Sequence, residues 1–501
     1  MTAVKKYIAT ETTQEAIRGL VADIKNSINA GAGGSGVTPH LTVTAPAGST
    51  VTASDGTVTL EAVVSGGTYQ FNLPHLGTWT VTTSKDGFTN TNPVAIKEVR
   101  EYTLKTAAAV RYGFRIKKNE GNPSARVEYL YDAVDFTPAH MDYTNGVFNY
   151  GDWGDKWFVT ENKPCMLKDD GTVDYYLNPN DYSIRADTDG ASDVDNTAYN
   201  GNAMAQFPLV WVKRYEQAGY EYEIISNVQY DEDYKAYAHT RADGSIADFF
   251  YYSMFGGSGS AAGIRSLAGQ TLAQSLTAQQ EINGCKANGS LWYTHSWSQR
   301  ELIRTLLILM GKSTDTQTVF GNGNCRSATA ASGLLTTGTL KDKGQFFGYN
   351  SNTQQVKVFH VEGFWGDQWD RTAGLIATNT GRIYIKMTPE GQGYRVTDTN
   401  GYTDTGITVP ASVSGGTPIV GGRMTEYGFI PTAGSGSGST YYCDHMWGYT
   451  SGNPANYLLA GASSGDATAV GGAFAWNVAN APSYARWGLG CGLSCEQPAA
   501  A

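Results

Sequence analysis

The spacing of apolar positions changes along the chain, and each change predicts an element. Near the N-terminus Ile17, Leu20, Val21, Ile24 and Ile28 recur at three- and four-residue steps, which puts them on one stripe of a helix. Arg18, Asp23 and Lys25 fall on the other faces. The pattern predicts a helix over 1–29. The run Ala30–Gly36 that follows is a flexible linker by composition. The isolated stripe therefore favours packing against copies of itself, and Ile at core positions favours a trimeric coil. A single amphipathic helix lying on a neighbouring domain is the plainer alternative.

From 37 to 106 the period drops to two. Leu41 and Val43, Val51, Val58 and Leu60, Tyr69 and Phe71, and Trp79 and Val81 mark short alternating runs. Gly, Pro, Asn and Asp separate these runs at roughly the 8–12-residue spacing of a β-sandwich. Trp79 reads as a core residue of such a module. Beyond Ala107 aromatics become dense. Thr277–Gln280 and Ser298–Glu301 each fit the capping-box pattern. The second opens a broad apolar face of Leu302, Ile303, Leu306, Leu307, Leu309 and Met310, with Gly311 as a stop. Arg382–Met387 alternates as a strand, and the Gly-rich stretches 414–422 and 432–440 read as long loops.

The segment 439–495 has a composition of its own. Gly, Ser, Ala, Asn and Tyr dominate it, its ionised side chains are Asp444, Asp466 and Arg486, and Trp447, Trp476 and Trp487 punctuate it. Rigid aromatics among small adaptable residues make good binding surfaces, because they supply contact area at low entropy cost. A Gly-rich β terminus that merely packs is the bland alternative.

Composition narrows the classes. A length of 501 residues allows two to four domains. The 60 glycines, 31 tyrosines and 11 tryptophans point to strands and turns. A net charge of −10 without a basic block argues against nucleic acid and anionic membrane as partners. No apolar run approaches the ~20 residues of a membrane span. The N-terminus lacks the uninterrupted apolar stretch of a secretory signal, so work outside a cell would imply release by another route, such as lysis.

The chain carries no G-x-S-x-G elbow, P-loop, dinucleotide fingerprint or H-E-x-x-H. Its seven histidines are scattered. Asp367 and Asp370 supply the two carboxylates of a glycosidase pair, although Arg371 offers a simple ion-pair explanation. Asp187, Asp189, Asp193 and Asp195 suggest a Ca²⁺ site. Their spacing is not that of an EF-hand, and a solvated turn is the simpler reading. The six cysteines read as reduced and structural, with a link from Cys443 to Cys491 or Cys495 left open. No catalytic residue, cofactor or metal is assigned.

Three stretches carry a resemblance: Trp292–Gly311, EGFWGDQWDRTAGL at 362–375, and GGAFAWNVANAPSYARWGLGCGLSC at 471–495. They resemble the C-type-lectin-fold proteins of phages, which include the major tropism determinant and retroelement-diversified variable proteins. That fold is shared with formylglycine-generating enzymes. The match runs through Gly471, Gly472, Phe474, Ala481, Ser483, Trp487, Gly490, Leu493, Ser494 and Cys495, which the resemblance makes scaffold. It implies ligand contacts at Ala475, Trp476, Asn477, Tyr484, Arg486 and Gly488. On the preceding loops it adds His445, Met446, Tyr449, Ser463, Ser464 and Asp466. Where such proteins favour Asn and Tyr, this chain has Ala475, Ser463 and Gly488.

The combined expectation is an α+β protein. It would have a trimerising helix and linker at 1–36, an Ig-like β-sandwich spacer at 37–106, and a C-type-lectin-like domain at 107–501 with its binding segment at 439–495. The expected function is that of a phage tail-tip receptor-binding protein. It would be a homotrimer on the virion, gripping a bacterial surface protein or glycan through its C-terminal face and other tail proteins through its N-terminus. The alternatives are a tail-associated glycan hydrolase, a formylglycine-generating-type oxidase or a structural baseplate subunit.

Overall fold

The computed structural model describes residues 38–499, apart from 46–47, 66–67, 86–87, 106–109 and 390–393. The coil expected at 1–29 and the linker Ala30–Gly36 lie outside the described residues. The chain divides into two compact units, Met1–Val110 and Arg111–Ala501.

In the first unit the period of two becomes two four-stranded sheets. One has the order Val63–Ser65, Thr68–Asn72, His40–Thr44, Glu101–Lys105. The other has the order Thr59–Glu61, Thr50–Ser54, Gly77–Lys85, Phe88–Ile96. Leu41, Val43, Val51, Tyr69, Phe71, Trp79 and Val81 form the shared core. Trp79 is fully buried, and its indole N–H donates to the His75 carbonyl at 3.3 Å. Val58 departs from the alternation and stays 41% exposed. It ends a tight turn in which the Asp55 carboxylate accepts the N–H groups of Thr57 and Val58, each at 2.7 Å.

The second unit is built on two large sheets. A seven-stranded sheet runs Asp181–Arg185, Val173–Asn178, Lys163–Lys168, Gly201–Pro208, Phe249–Ser253, Leu493–Glu496, Trp292–Thr294. The C-terminal strand thus lies between two strands from the middle of the chain. A nine-stranded sheet runs Thr403–Thr408, Arg382–Ile385, Trp369–Thr378, Ala455–Ala460, Trp476–Asn477, His445–Trp447, Thr417–Thr425, Gly428–Gly434, with Leu489–Gly490 paired to Trp369–Thr378. Four helices occur among the described residues: α1 (Trp157–Thr160), α2 (Ala278–Lys286), α3 (Trp297–Gly311) and α4 (Thr316–Phe320).

The α+β class is therefore corrected. The described chain is mostly β, 40% strand against 10% helix, in many sheets with a near-barrel among them. The two well-capped helices stand in a chain otherwise rich in Gly, Tyr and β-branched residues, which favour strands and turns. The loop expected at 414–422 is also corrected, since 417–422 joins the hairpin Thr417–Thr425 and Gly428–Gly434, whereas of 432–440 only 432–434 is strand and 435–440 is loop. Glycine there permits close packing: a Cβ on Gly422 would stand 2.4 Å from the Phe429 ring.

Helix α2 begins with the expected capping box at Thr277 and Gln280. Helix α3 begins earlier than Ser298, because Ser296 is the cap that accepts the Gln299 N–H. It ends on Gly311, with Lys312 in the left-handed conformation at φ 50°. All fifteen residues of α3 are buried. Its charged side chains must then find partners inside the protein. Arg304 grips Glu223 through two bonds of 2.8 Å and is joined to Glu301 at 2.9 Å. Arg214 reaches the same Glu223 at 2.9 Å. Glu301 also accepts the Phe429 N–H at 2.9 Å.

Removing one member of such a cluster strands the others without water. Arg304→Ala is expected to lower unfolding free energy by about 3–5 kcal/mol, whereas Val58→Ser should change it by less than about 0.5 kcal/mol. Denaturant titration checks both.

Candidate ligand-binding site

The C-terminal segment closes a cleft of about 300 Å³ over the nine-stranded sheet. Its floor and walls come from three places. Trp369 opens the strand Trp369–Thr378, where its N–H donates to the Gly488 carbonyl at 2.9 Å and it pairs in parallel with Leu489. Trp447 ends the strand His445–Trp447, and its carbonyl accepts the Val478 N–H at 3.0 Å. The rings of Trp369 and Trp447 meet edge to face, with centroids 5.5 Å apart. The loop 479–488 adds Asn480, Tyr484, Arg486 and Trp487, and the loop 463–466 adds Ser463, Gly465 and Asp466.

The polar groups are held by their neighbours. Asp466 Oδ2 accepts the N–H of Ser463 at 2.9 Å and its hydroxyl at 2.7 Å. Asn477 Oδ1 accepts the Ala479 N–H at 2.9 Å and the Asn480 amide at 3.1 Å. The Arg486 guanidinium lies 5.6 Å from the Trp487 ring centre. The Gln368 amide anchors the loop from below, donating to the Trp487 carbonyl at 2.8 Å. Buried Arg371 donates to the Tyr484 carbonyl at 3.1 Å and pairs with Glu281 at 2.5 Å. Burial pushes the Glu281 carboxyl up to about 7 against the pull of Arg371. The partner of Arg371 is thus Glu281 rather than Asp367 or Asp370.

Of the twelve residues the sequence singles out, Ser463, Asp466, Asn477, Tyr484, Arg486 and Gly488 line this cleft. The other six lie elsewhere. Met446, Ser464, Ala475 and Trp476 are buried, and the Trp476 indole packs edge-on against Trp297 at 5.4 Å. His445 is half-buried on its strand, with its pKa lowered by burial. Tyr449 is half-buried and covers Gly381, where a Cβ would stand 2.5 Å from its ring. Trp369, Trp447, Asn480 and Trp487 line the cleft and were not singled out as contacts. The usable signal was the repeat Asn477-x-x-Asn480 and the persistence of tryptophan in a segment poor in charge.

No family model matches the chain, and no curated protein matches it. Among solved structures it is similar to the Major Tropism Determinant U1 Variant, with a TM-score of 0.25 and 10% identity over 84% of this chain and 81% of that one. A likeness of that size carries no argument about fold or function here.

The other chemical features are dispersed or enclosed. Asp187 pairs with Arg185 at 3.2 Å, Asp193 accepts the Tyr175 hydroxyl at 2.9 Å, and Asp195 lies 3.7 Å from Lys341. These carboxylates therefore point to different partners. Among the described residues no three His, Cys, Asp or Glu are grouped to hold a metal. All six cysteines are free and buried. The Cys285 thiol donates to the Gly492 carbonyl at 3.8 Å and lies in one apolar cluster with Cys165, Cys491 and Cys495. No helix among the described residues is long and apolar enough to cross a membrane.

One buried constellation has the connectivity of a catalytic triad, and no motif links its members in sequence. Ser253 Oγ lies 2.9 Å from His295 Nε2, and His295 Nδ1 lies 2.9 Å from Asp370 Oδ2. That is the order of nucleophile, base and orienting carboxylate. Access decides against turnover. Ser253 is 1% exposed, its Oγ also accepts the Leu493 N–H at 3.2 Å, and the Tyr252 ring stacks on His295 at 3.5 Å. The adjoining cavity holds about 50 Å³, room for a few waters rather than an ester or a sugar. Asp367 borders the same cavity but is taken up by Asn324 at 2.6 Å and the Leu335 N–H at 3.0 Å. The constellation instead ties strand Phe249–Ser253 to α3 and the C-terminus.

Asp370 sets the pH response of this tie. Burial raises its pKa, but His295 and Arg300 outweigh burial and hold it below the ordinary carboxylate value. A depressed folded pKa contributes stability above the unfolded value of about 3.9, and that stability is lost on acidification through the folded value. Asp370→Asn should therefore remove part of the steepness of stability against pH below about 4, as read by thermal melts across pH. A fluorophosphonate probe should leave Ser253 unmodified by mass spectrometry. Stoichiometric labelling of Ser253 would return the hydrolase alternative.

Proposed function

We propose that this chain is a receptor-binding adhesin of a phage tail, which attaches to a bacterial surface ligand through the cleft of Trp369, Trp447 and Trp487. The observation that carries the reading is the convergence of these aromatics with Asp466, Asn477, Asn480, Tyr484 and Arg486 in a concave site on a firmly packed scaffold. Small-ligand sites combine apolar walls with a few placed polar groups in this way. The phage assignment rests on the residue pattern of 471–495. Work is done by binding alone, because the reactive-looking Ser253 constellation is closed to substrates. Several weak sites on one particle gain from effective concentration, so each can be modest.

The test is binding of the purified chain to a panel of intact bacteria. Wild type is compared with a Tyr484→Ala/Arg486→Ala/Trp487→Ala variant whose fold is checked by circular dichroism. Trp476 is left intact because it packs on Trp297. Strain-selective binding by wild type should weaken by thirtyfold or more in the variant, the usual scale for losing an aromatic anchor at a binding hot spot. Equal binding by both would move the site elsewhere, and no binding to any strain would favour a structural tail subunit.

A further inference from the structure

We infer that the cleft holds one uncharged pyranose unit of a bacterial surface glycan, an inference that deepens the adhesin reading and rests on it. The argument begins with which polar atoms are already used. One oxygen of Asp466 is occupied by Ser463, and the oxygen of Asn477 is occupied by Ala479 and Asn480. Those bonds fix the orientation of both amides. That leaves the Asn477 Nδ2 donor, the Asn480 Oδ1 acceptor and the Asp466 Oδ1 acceptor on three residues that line the cleft. Among the described residues none of these three atoms has a hydrogen-bond partner, and neither has the Arg486 guanidinium.

A hydroxyl is donor and acceptor at once. Neighbouring hydroxyls on a ring therefore satisfy alternating fixed donors and acceptors of this kind, whereas a peptide backbone presents them in a long extended register that needs a sheet edge or groove. The site is instead a short pocket. Its volume of about 300 Å³ is at the small end of ligand sites. The perpendicular pair Trp369 and Trp447 lines the cleft with apolar ring surface, which suits the apolar C–H face of a pyranose.

Charge selects among sugars. Asp466 and Arg486 are the ionised side chains of the lining, one of each sign. They leave no excess positive charge for a carboxylated sugar, and the free oxygen of Asp466 repels one. A neutral hexose or N-acetylhexosamine fits, and a uronic acid does not. A site of this size holding a dozen ligand atoms gives a Kd on the order of 1 mM.

The test uses the full-length chain and two assays. Saturation-transfer NMR is run with methyl glycosides of glucose, galactose, mannose, N-acetylglucosamine and glucuronic acid. Cell binding is measured before and after mild periodate oxidation, and before and after surface proteolysis. Signal from a neutral glycoside and not from the glucuronide is expected, with at least a tenfold loss in Asn480→Ala, a variant verified by its melting curve. Asp466→Asn keeps an acceptor for Ser463 and should raise glucuronide binding relative to wild type. Cell binding lost to periodate supports the inference even if the bound sugar lies outside the panel. Cell binding that resists periodate and is lost to protease, without glycoside signal, overturns the inference and leaves the adhesin reading standing. Glycoside binding with no cell binding keeps the inference and removes the adhesin reading. Silence in both assays overturns both.

Discussion

A helix with no solvent-facing side sets the terms for the larger unit. Helix α3 buries Arg300, Glu301 and Arg304 along with its leucines, and buried charge is costly unless it is paired and hydrogen-bonded. Each of these side chains therefore reaches a different part of the chain. Arg304 takes Glu223 on the strand Tyr220–Ser226, Glu301 takes the hairpin at Phe429, and Arg300 takes Asp370. Polar neighbours on the same helix add further ties, with Gln299 accepting the Ser494 hydroxyl at 2.7 Å and Trp297 donating to the Tyr427 carbonyl at 3.0 Å. The sheets are positioned by obligations of the helix as much as by their own pairing. The cleft inherits this rigidity, because Trp369 sits next to Asp370 and the loop bearing Trp487 is pinned by Gln368.

What could be read from the sequence follows from which forces are local. Strict alternation put Leu41, Val43, Trp79 and Val81 inside the first unit, because a strand's inward face is set by parity alone. The Thr277 cap was legible because its hydrogen bonds are made within four residues. The hairpin at 417–434 was not, because its glycines answer to residues outside their own strands, Gly422 to the Phe429 ring, Gly428 to the Glu301 carboxylate and Gly434 to Thr417. The same distinction divides the site. Asn477, Tyr484 and Arg486 lie in the cleft while Trp476 turns inward to Trp297, and no period operates in a loop to say which way a side chain points. Ser253, His295 and Asp370 come from three separate elements, so nothing in the linear order marks their meeting.

The two polar concentrations of the larger unit differ in what remains unspent. Around His295 almost every donor and acceptor is matched by the protein, the aromatic contact is internal, and a methyl group at Gly492 would collide with the imidazole at 1.9 Å. Around Trp447 the matching stops halfway, and half-matched groups facing water are what a ligand can complete. Polar side chains alone do not identify a site; the inventory of their remaining valences does.

The position of the last strand has a consequence for how the molecule is made. Leu493–Glu496 is flanked by Phe249–Ser253 on one side and Trp292–Thr294 on the other. On a ribosome those two strands are synthesised some two hundred residues before their shared partner, and until it arrives both present open edges, which invite aggregation. The stretch that lines the cleft emerges immediately before this closing strand. A frameshift or stop within it removes the closure along with the contacts, leaving a nascent chain that cannot complete its sheet. Errors in the stretch that lines the cleft are thus exposed to cellular quality control during synthesis.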